Sequence, residues 1–239
     1  MSQNILIKQR SAQSHQLLSL NIHKINDLFP GFAPSDFAVI YGASSSLYLT
    51  SLLCIRAQLP IQLGGLSSNV VFIDGGNTFQ LYQISRLAQI HQFNPRQALD
   101  RIYISRAFTA YQMTTLIMEK MKEAVERFNA KLVVISDIAG LFLDKDIPDE
   151  EARRVYSQVM AYLQNFAREH QIILLATYLP HKNTSRNAYL QMLTCGRANV
   201  VIALKQTTYD REFALEKHPH FMLGIAEFSS DNLTLMDFM

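Results

Sequence analysis

The first candidate chemistry lies where an apolar run ends on a glycine. The stretch DFAVIYG (36–42) passes into Ala43, Ser44, Ser45, Ser46, Leu47, Tyr48 and Leu49, and then into a helical pattern. A strand that turns into a helix through such a segment is the setting of a phosphate-binding loop. There, backbone amides cradle phosphates at the positive end of the helix. The working pattern, GxxxxGK[ST], adds a lysine for the β and γ phosphates and a hydroxyl for Mg²⁺. Gly42 matches the first glycine, but Leu47 replaces the second, Tyr48 the lysine and Leu49 the hydroxyl residue. Thr50 and Ser51 stand close by, yet a shift of one residue turns a side chain around the helix and away from the site. Gly42, Ser44, Ser45, Ser46 and Tyr48 therefore read as the remnant of a nucleotide site, with Tyr48 and the neighbouring leucines filling the phosphate space. Neither ATP nor Mg²⁺ is expected as a cofactor.

A second set of residues could meet a polyanion. The net charge is only +2, but the charges are segregated. No acid precedes Asp27, and none lies between Glu169 and Asp210, a gap that holds Lys182, Arg186, Arg197 and Lys205. Acids crowd instead into LDKDIPDEEARR. Lys182, Arg186 and Arg197 could neutralise phosphates and Tyr189 could stack on a base. The same residues also suit an ordinary solvated loop. His218 and His220 flank Pro219 without further metal ligands nearby in sequence, which points to a turn. Cys54 and Cys195 lack zinc-ligand spacing and read as free thiols in a reducing cytoplasm. No apolar run approaches the ~18 residues of a membrane span, and no secretory leader is visible.

The elements that must position these residues follow from periodicity. DFAVIYG, NVVFID, RIYIS, KLVVIS, QIILLAT and ANVVIAL are continuous apolar runs, as expected of strands covered on both faces. Helical patterns lie between them: SLYLTSLLCIRAQL, FQLYQISRLAQIHQF, TAYQMTTLIMEKMKEAVERF and a span from Asp149 to His170 behind Pro148. This alternation predicts an α/β fold with a doubly wound, mostly parallel sheet. After about residue 198 the short runs ANVVIAL, REFALEK, FMLGIAEF and LTLMDF predict antiparallel C-terminal strands. One domain is expected over 1–239, with residues 1–20 as an N-terminal extension.

Five stretches in order resemble the RecA/RadA-type recombinases and their paralogues. LSLNIHKINDLFPGFAPSDFAVIYG is similar to the family's approach to the phosphate loop. VVFIDGGNTF…NPRQALDRIYISRAFTAYQ is similar to a strand ending in IDTEGTF, a helix, an NP turn and a strand ending in SRAF. KLVVISDIAGLF resembles the Walker B strand, QIILLATYLP the strand that carries an Asn-Gln sensor, and KHPHFMLGIAEF a late hairpin. The resemblance implies the RecA-like P-loop NTPase fold. It places Asp137 on the Walker B aspartate and Gly76 on the glutamate that activates water. Asp74 belongs to the preceding strand, and the sensor pair falls near Thr177 and Tyr178. Asp137 alone suits a satisfied structural carboxylate.

No N-terminal helical DNA-binding domain and no Phe-x-x-Ala polymerisation motif are found, an architecture closest to RadB and other core-only paralogues. The reading is a non-catalytic accessory factor in homologous recombination and DNA repair. Its expected partners are a RecA/RadA-type recombinase or another paralogue, together with single-stranded DNA at Lys182, Arg186, Tyr189 and Arg197. No membrane partner is expected, and the location is the cytoplasm at the nucleoid, or the nucleus of a eukaryote. A weak or partner-completed ATPase, and a KaiC-like regulator that does not act on DNA, are the alternatives.

Overall fold

The continuous apolar runs become strands of a single sheet in a computed structural model that describes residues 17–43, 45–206 and 210–229. The strands are β1 Phe37–Gly42, β2 Asn69–Asp74, β3 Ile102–Arg106, β4 Ala130–Ser136, β5 Ile173–Tyr178, β6 Val200–Gln206, β7 Asp210–Lys217 and β8 Gly224–Ser229. Their order is β3-β2-β4-β5-β1-β6-β7-β8. The first six are parallel, and β7 and β8 add antiparallel at one edge. This is the expected mostly parallel α/β sheet with an antiparallel C-terminal extension, consistent with the RecA-like fold.

Burial on both faces explains why these strands show no alternation. In β1, Ala38 and Ile40 enter one apolar cluster and Phe37 and Val39 the other. The first cluster is closed by α2 (Ser45–Arg56), α3 (Leu81–Ile90) and α4 (Pro95–Asp100), through Leu49, Leu52, Leu53, Ile84, Leu87 and Ala98. The second is closed by α5 (Ala110–Thr115), α6 (Met121–Phe128), α7 (Asp149–His170) and α8 (Ser185–Arg197). A π-helical segment, Leu116–Lys120, joins α5 to α6 within one continuous amphipathic stretch. A short helix, α1 (His23–Leu28), precedes β1.

Two expectations need correction. The stretch after Lys182 is not a loop: Thr184 caps α8 by accepting from the Asn187 amide, and helix runs from Ser185 to Arg197. Its inward residues include Asn187 and Thr194 beside Leu190, so the buried face is half polar and the apolar period is hidden. The N-terminal extension also ends earlier than residue 20. Leu18 and Leu20 are fully buried, and Leu18 bridges to Phe32. The expected strand LTLMDF and Ser44 lie outside the described residues. Among the described residues no helix is long and apolar enough to cross a membrane.

Candidate functional site

The carboxyl ends of β1, β2, β4 and β5 bring the candidate residues to one end of the sheet, where ligands bind in open α/β folds. Gly42 stands there with φ +103°, and a Cβ on it would run into the Leu204 carbonyl oxygen. The next amide, Ala43 N–H, donates to that same oxygen at 2.9 Å. The close approach of β1 to β6 thus requires this glycine with or without a phosphate.

α2 begins at Ser45, and the Ser46 amide donates to the Ala43 carbonyl at 3.0 Å. Only Ala43 and Ser44 separate strand from helix, so little chain is left to form an amide-lined cradle. Thr50 and Ser51 turn their hydroxyls onto the carbonyls of Ser46 and Leu47, at 2.7 and 2.9 Å. Leu49 is in the core. Tyr48 packs on the first apolar cluster and lines a groove of about 830 Å³ toward α3, beside Phe79 and Leu87. Ser45 and Ser46 are buried at the start of α2, and their hydroxyls have no hydrogen-bond partner among the described residues.

The neighbouring corner is densely bonded. Asp74, fully buried, accepts from the Thr78 amide (2.8 Å), the Phe79 amide (3.3 Å) and the Ser136 hydroxyl (2.8 Å), with Arg106 at 3.4 Å. These bonds tie down the turn that follows β2, and Asp74 is a structural group of its strand end. Asp137 sits just past β4 with φ +47°. Its amide donates to the Thr177 hydroxyl at 2.9 Å, and its Oδ1 meets His181 Nε2 at 2.8 Å. The bond to this carboxylate raises the imidazole pKa above its ordinary value, against the opposing effect of burial. Gly76 and Gly140 enclose the carboxylate. A Cβ at Gly76 would lie 2.8 Å from Asp137 Cβ and 3.2 Å from its Oδ2. Tyr178, the other sensor position, donates to the Asn187 carbonyl and Oδ1 at the start of α8.

The residues expected to meet DNA are not brought together as a free cationic surface. Arg186 donates from Nε to Asp149 Oδ1, from Nη1 to the carbonyls of Asp144 (2.7 Å) and Phe142 (3.3 Å), and from Nη2 to the Ile147 carbonyl (2.9 Å). It fastens the acidic loop before α7. Tyr189 packs on the second cluster and carries the Arg153 guanidinium over its ring at 4.6 Å. Arg197 reaches Gln164 Oε1 at 3.4 Å. Lys182 is exposed. His218 Nδ1 accepts from the amides of His220 and Phe221, both at 3.0 Å, and closes the turn around Pro219.

His181 and Arg186 are the residues that sequence reasoning missed in these roles. Each acts across roughly forty positions, on Asp137 and on the 142–149 loop, and no local spacing announces such a pairing. A magnesium nucleotide does not fit this donor set. The positions that the resemblance assigns to the lysine and the metal hydroxyl are Tyr48 and a buried Leu49, and an aspartate oxygen is engaged by an imidazole.

The family itself is decided by comparison over most of this fold. The Rad51 family profile matches residues 28–192, from α1 to the middle of α8. The chain belongs to the Rad51 family. A DNA repair and recombination protein RadA from Cenarchaeum symbiosum (strain A) is similar to it, with 30% identity over 90 residues. That match covers 38% of this chain and 22% of the RadA protein, so the chain matches about a fifth of that relative's length.

Proposed function

We propose that this chain is a non-catalytic member of its family, an accessory factor that works by binding a RecA/RadA-type recombinase or another paralogue. One observation carries this reading: the Walker B aspartate position is closed off within the chain. Asp137 Oδ1 is bonded to His181 at 2.8 Å, and the position of the water-activating acid is a glycine whose Cβ would press on Asp137 at 2.8 Å. Phosphoryl transfer depends on positioned charge and metal. Here the lysine and metal-hydroxyl positions are apolar or aromatic, and the acid position has no side chain.

The chain's own residues hold the site shut in a defined way. His181 bonds the aspartate, Thr177 supports its backbone, and Gly76 and Gly140 let the carboxylate lie flat against the turns. The test is steady-state ATP turnover by the purified chain, alone and with a RadA-type recombinase, beside the double variant Tyr48→Lys, Leu49→Thr. No turnover beyond that of the recombinase alone is expected in any of these, because position 76 still supplies no acid. Turnover by the chain alone would overturn the reading. Turnover by the mixture above that of the recombinase alone would favour a site completed by the partner.

Arg186 and Tyr189 are engaged within the chain, which narrows the surface for single-stranded DNA binding. Such binding rests on exposed Lys182 and on whatever the partner adds.

A further inference from the structure

The two helical layers differ in charge. Between Asp36 and Asp100, the stretch that supplies α2, α3 and most of α4, the sequence holds a single acid, Asp74. That acid is fully buried. This layer carries the groove that Tyr48 lines, about 830 Å³ in volume, whose walls are formed by Phe79, Leu81, Tyr82, Leu87 and Ile90. Tyr82 is 88% exposed and Leu81 50%. Two cations, Arg86 and Arg211, stand in the same groove and make no ion pair among the described residues. Among the described residues Arg211 Nε is buried without an acceptor. Large exposed apolar side chains, arginine, and a lack of carboxylates form the composition of a protein-docking core rather than of a solvated helix face.

We propose that this groove docks an extended segment of a partner protein, with an apolar side chain seated between Tyr82 and Leu87 and carboxylates meeting Arg86 and Arg211. The inference rests on the reading of the chain as a binding factor and names the chemistry of what it binds. Charge complementarity selects the occupant: an arginine whose Nε–H is buried without an acceptor among the described residues asks for an anion, and no acid lines the groove to repel one. The walls favour a peptide over a nucleic acid. Leu81, Leu87 and Ile90 offer bases neither stacking faces nor hydrogen bonds, Tyr48 and Phe79 are half-buried against the apolar cluster so that Tyr82 is the exposed ring, and two arginines make a short phosphate track.

The test uses the full chain and a random-peptide phage library. Panning should enrich peptides in which Asp or Glu flanks Leu, Met or an aromatic residue. The strongest peptide, synthesised with a fluorescent label, is then titrated by anisotropy. Tyr82→Ala and Arg86→Glu, both at exposed positions, should each leave the melting temperature unchanged and weaken binding about tenfold. Replacing the peptide's acids by lysine should restore affinity for the Arg86→Glu, Arg211→Glu variant. No acidic enrichment, or affinity indifferent to both single variants, would overturn the proposal. Displacement of the peptide by oligothymidylate, with the same two variants abolishing DNA binding, would overturn it in favour of a nucleic-acid groove. Failure here is distinct from failure of the non-catalytic reading: ATP turnover sinks that reading and leaves peptide binding standing, and loss of peptide binding without turnover sinks only the groove.

Discussion

Two corners of the same sheet end treat their polar groups in opposite ways. At the β1–α2 corner, α2 starts at Ser45, Tyr48 and Leu49 pack with the apolar cluster, and two buried serine hydroxyls have no partner among the described residues. At the β4–β5 corner, the polar groups remain and are bonded to one another: Asp137 to His181 and Thr177, Arg186 to Asp149 and three carbonyls. A buried polar group that loses its ligand must either find an internal partner or carry the cost of desolvation. The first corner leaves small hydroxyls in that condition. At the second, charged groups have found partners, because an unpaired buried charge costs far more than an unpaired hydroxyl.

Substitutions test this contrast. The largest effect is expected at Gly42, where backbone packing sets the residue. Gly42→Ala should cost about 4 kcal/mol or more in a urea melt, since positive φ and the Leu204 carbonyl both oppose a Cβ. A cost near 1 kcal/mol would mean that β1 and β6 separate easily. Next comes Arg186→Ala, which strands the carbonyls of Phe142, Asp144 and Ile147. A loss of about 3 kcal/mol is expected, with faster amide exchange over 142–149. Unchanged stability would return Arg186 to the surface role that its charge suggested.

His181→Gln sharpens the second corner through pH. Its folded pKa is raised above the ordinary 6.5, so the imidazolium's contribution is complete below about 6.5 and fades as pH rises through the folded value. The gap in melting temperature between wild type and variant should therefore be wider at pH 6 than at pH 9. A gap that is flat with pH would show that the bond carries no charge.

Ser46→Ala probes the first corner with the opposite sign. Removing a buried hydroxyl without a partner should leave stability unchanged or raise it by up to about 1 kcal/mol. A clear loss would reveal a partner for that hydroxyl. The smallest effect is expected for Lys182→Glu, within about 0.5 kcal/mol in the same melt. Any larger change would place Lys182 in the bonded corner after all.

The sequence by itself determined the sheet, both helical layers apart from α4 and α8, and the family. Continuous apolar runs and 3.6-residue periods are local signals, and NVVFID through SRAF keeps its order and spacing. It also determined that positions 48, 49 and 76 hold tyrosine, leucine and glycine, because those are statements about residue type. Only tertiary structure decided what became of the residues that remained. The sequence offered Arg186 and Tyr189 to DNA because a cation and an aromatic ring in an acid-free stretch carry no mark of their partners. Folding gave Arg186 three carbonyls and Asp149, and gave Tyr189 the Arg153 guanidinium. The helix that carries them was hidden because Asn187 and Thr194 point inward, where a periodicity argument looks for apolar residues. Asp137 could be placed by its strand, but its bond to His181 spans 44 positions and depends on β4 and β5 lying side by side. Local pattern fixes which elements form; the pairing of polar groups at their ends is set by distances that exist only after the sheet has closed.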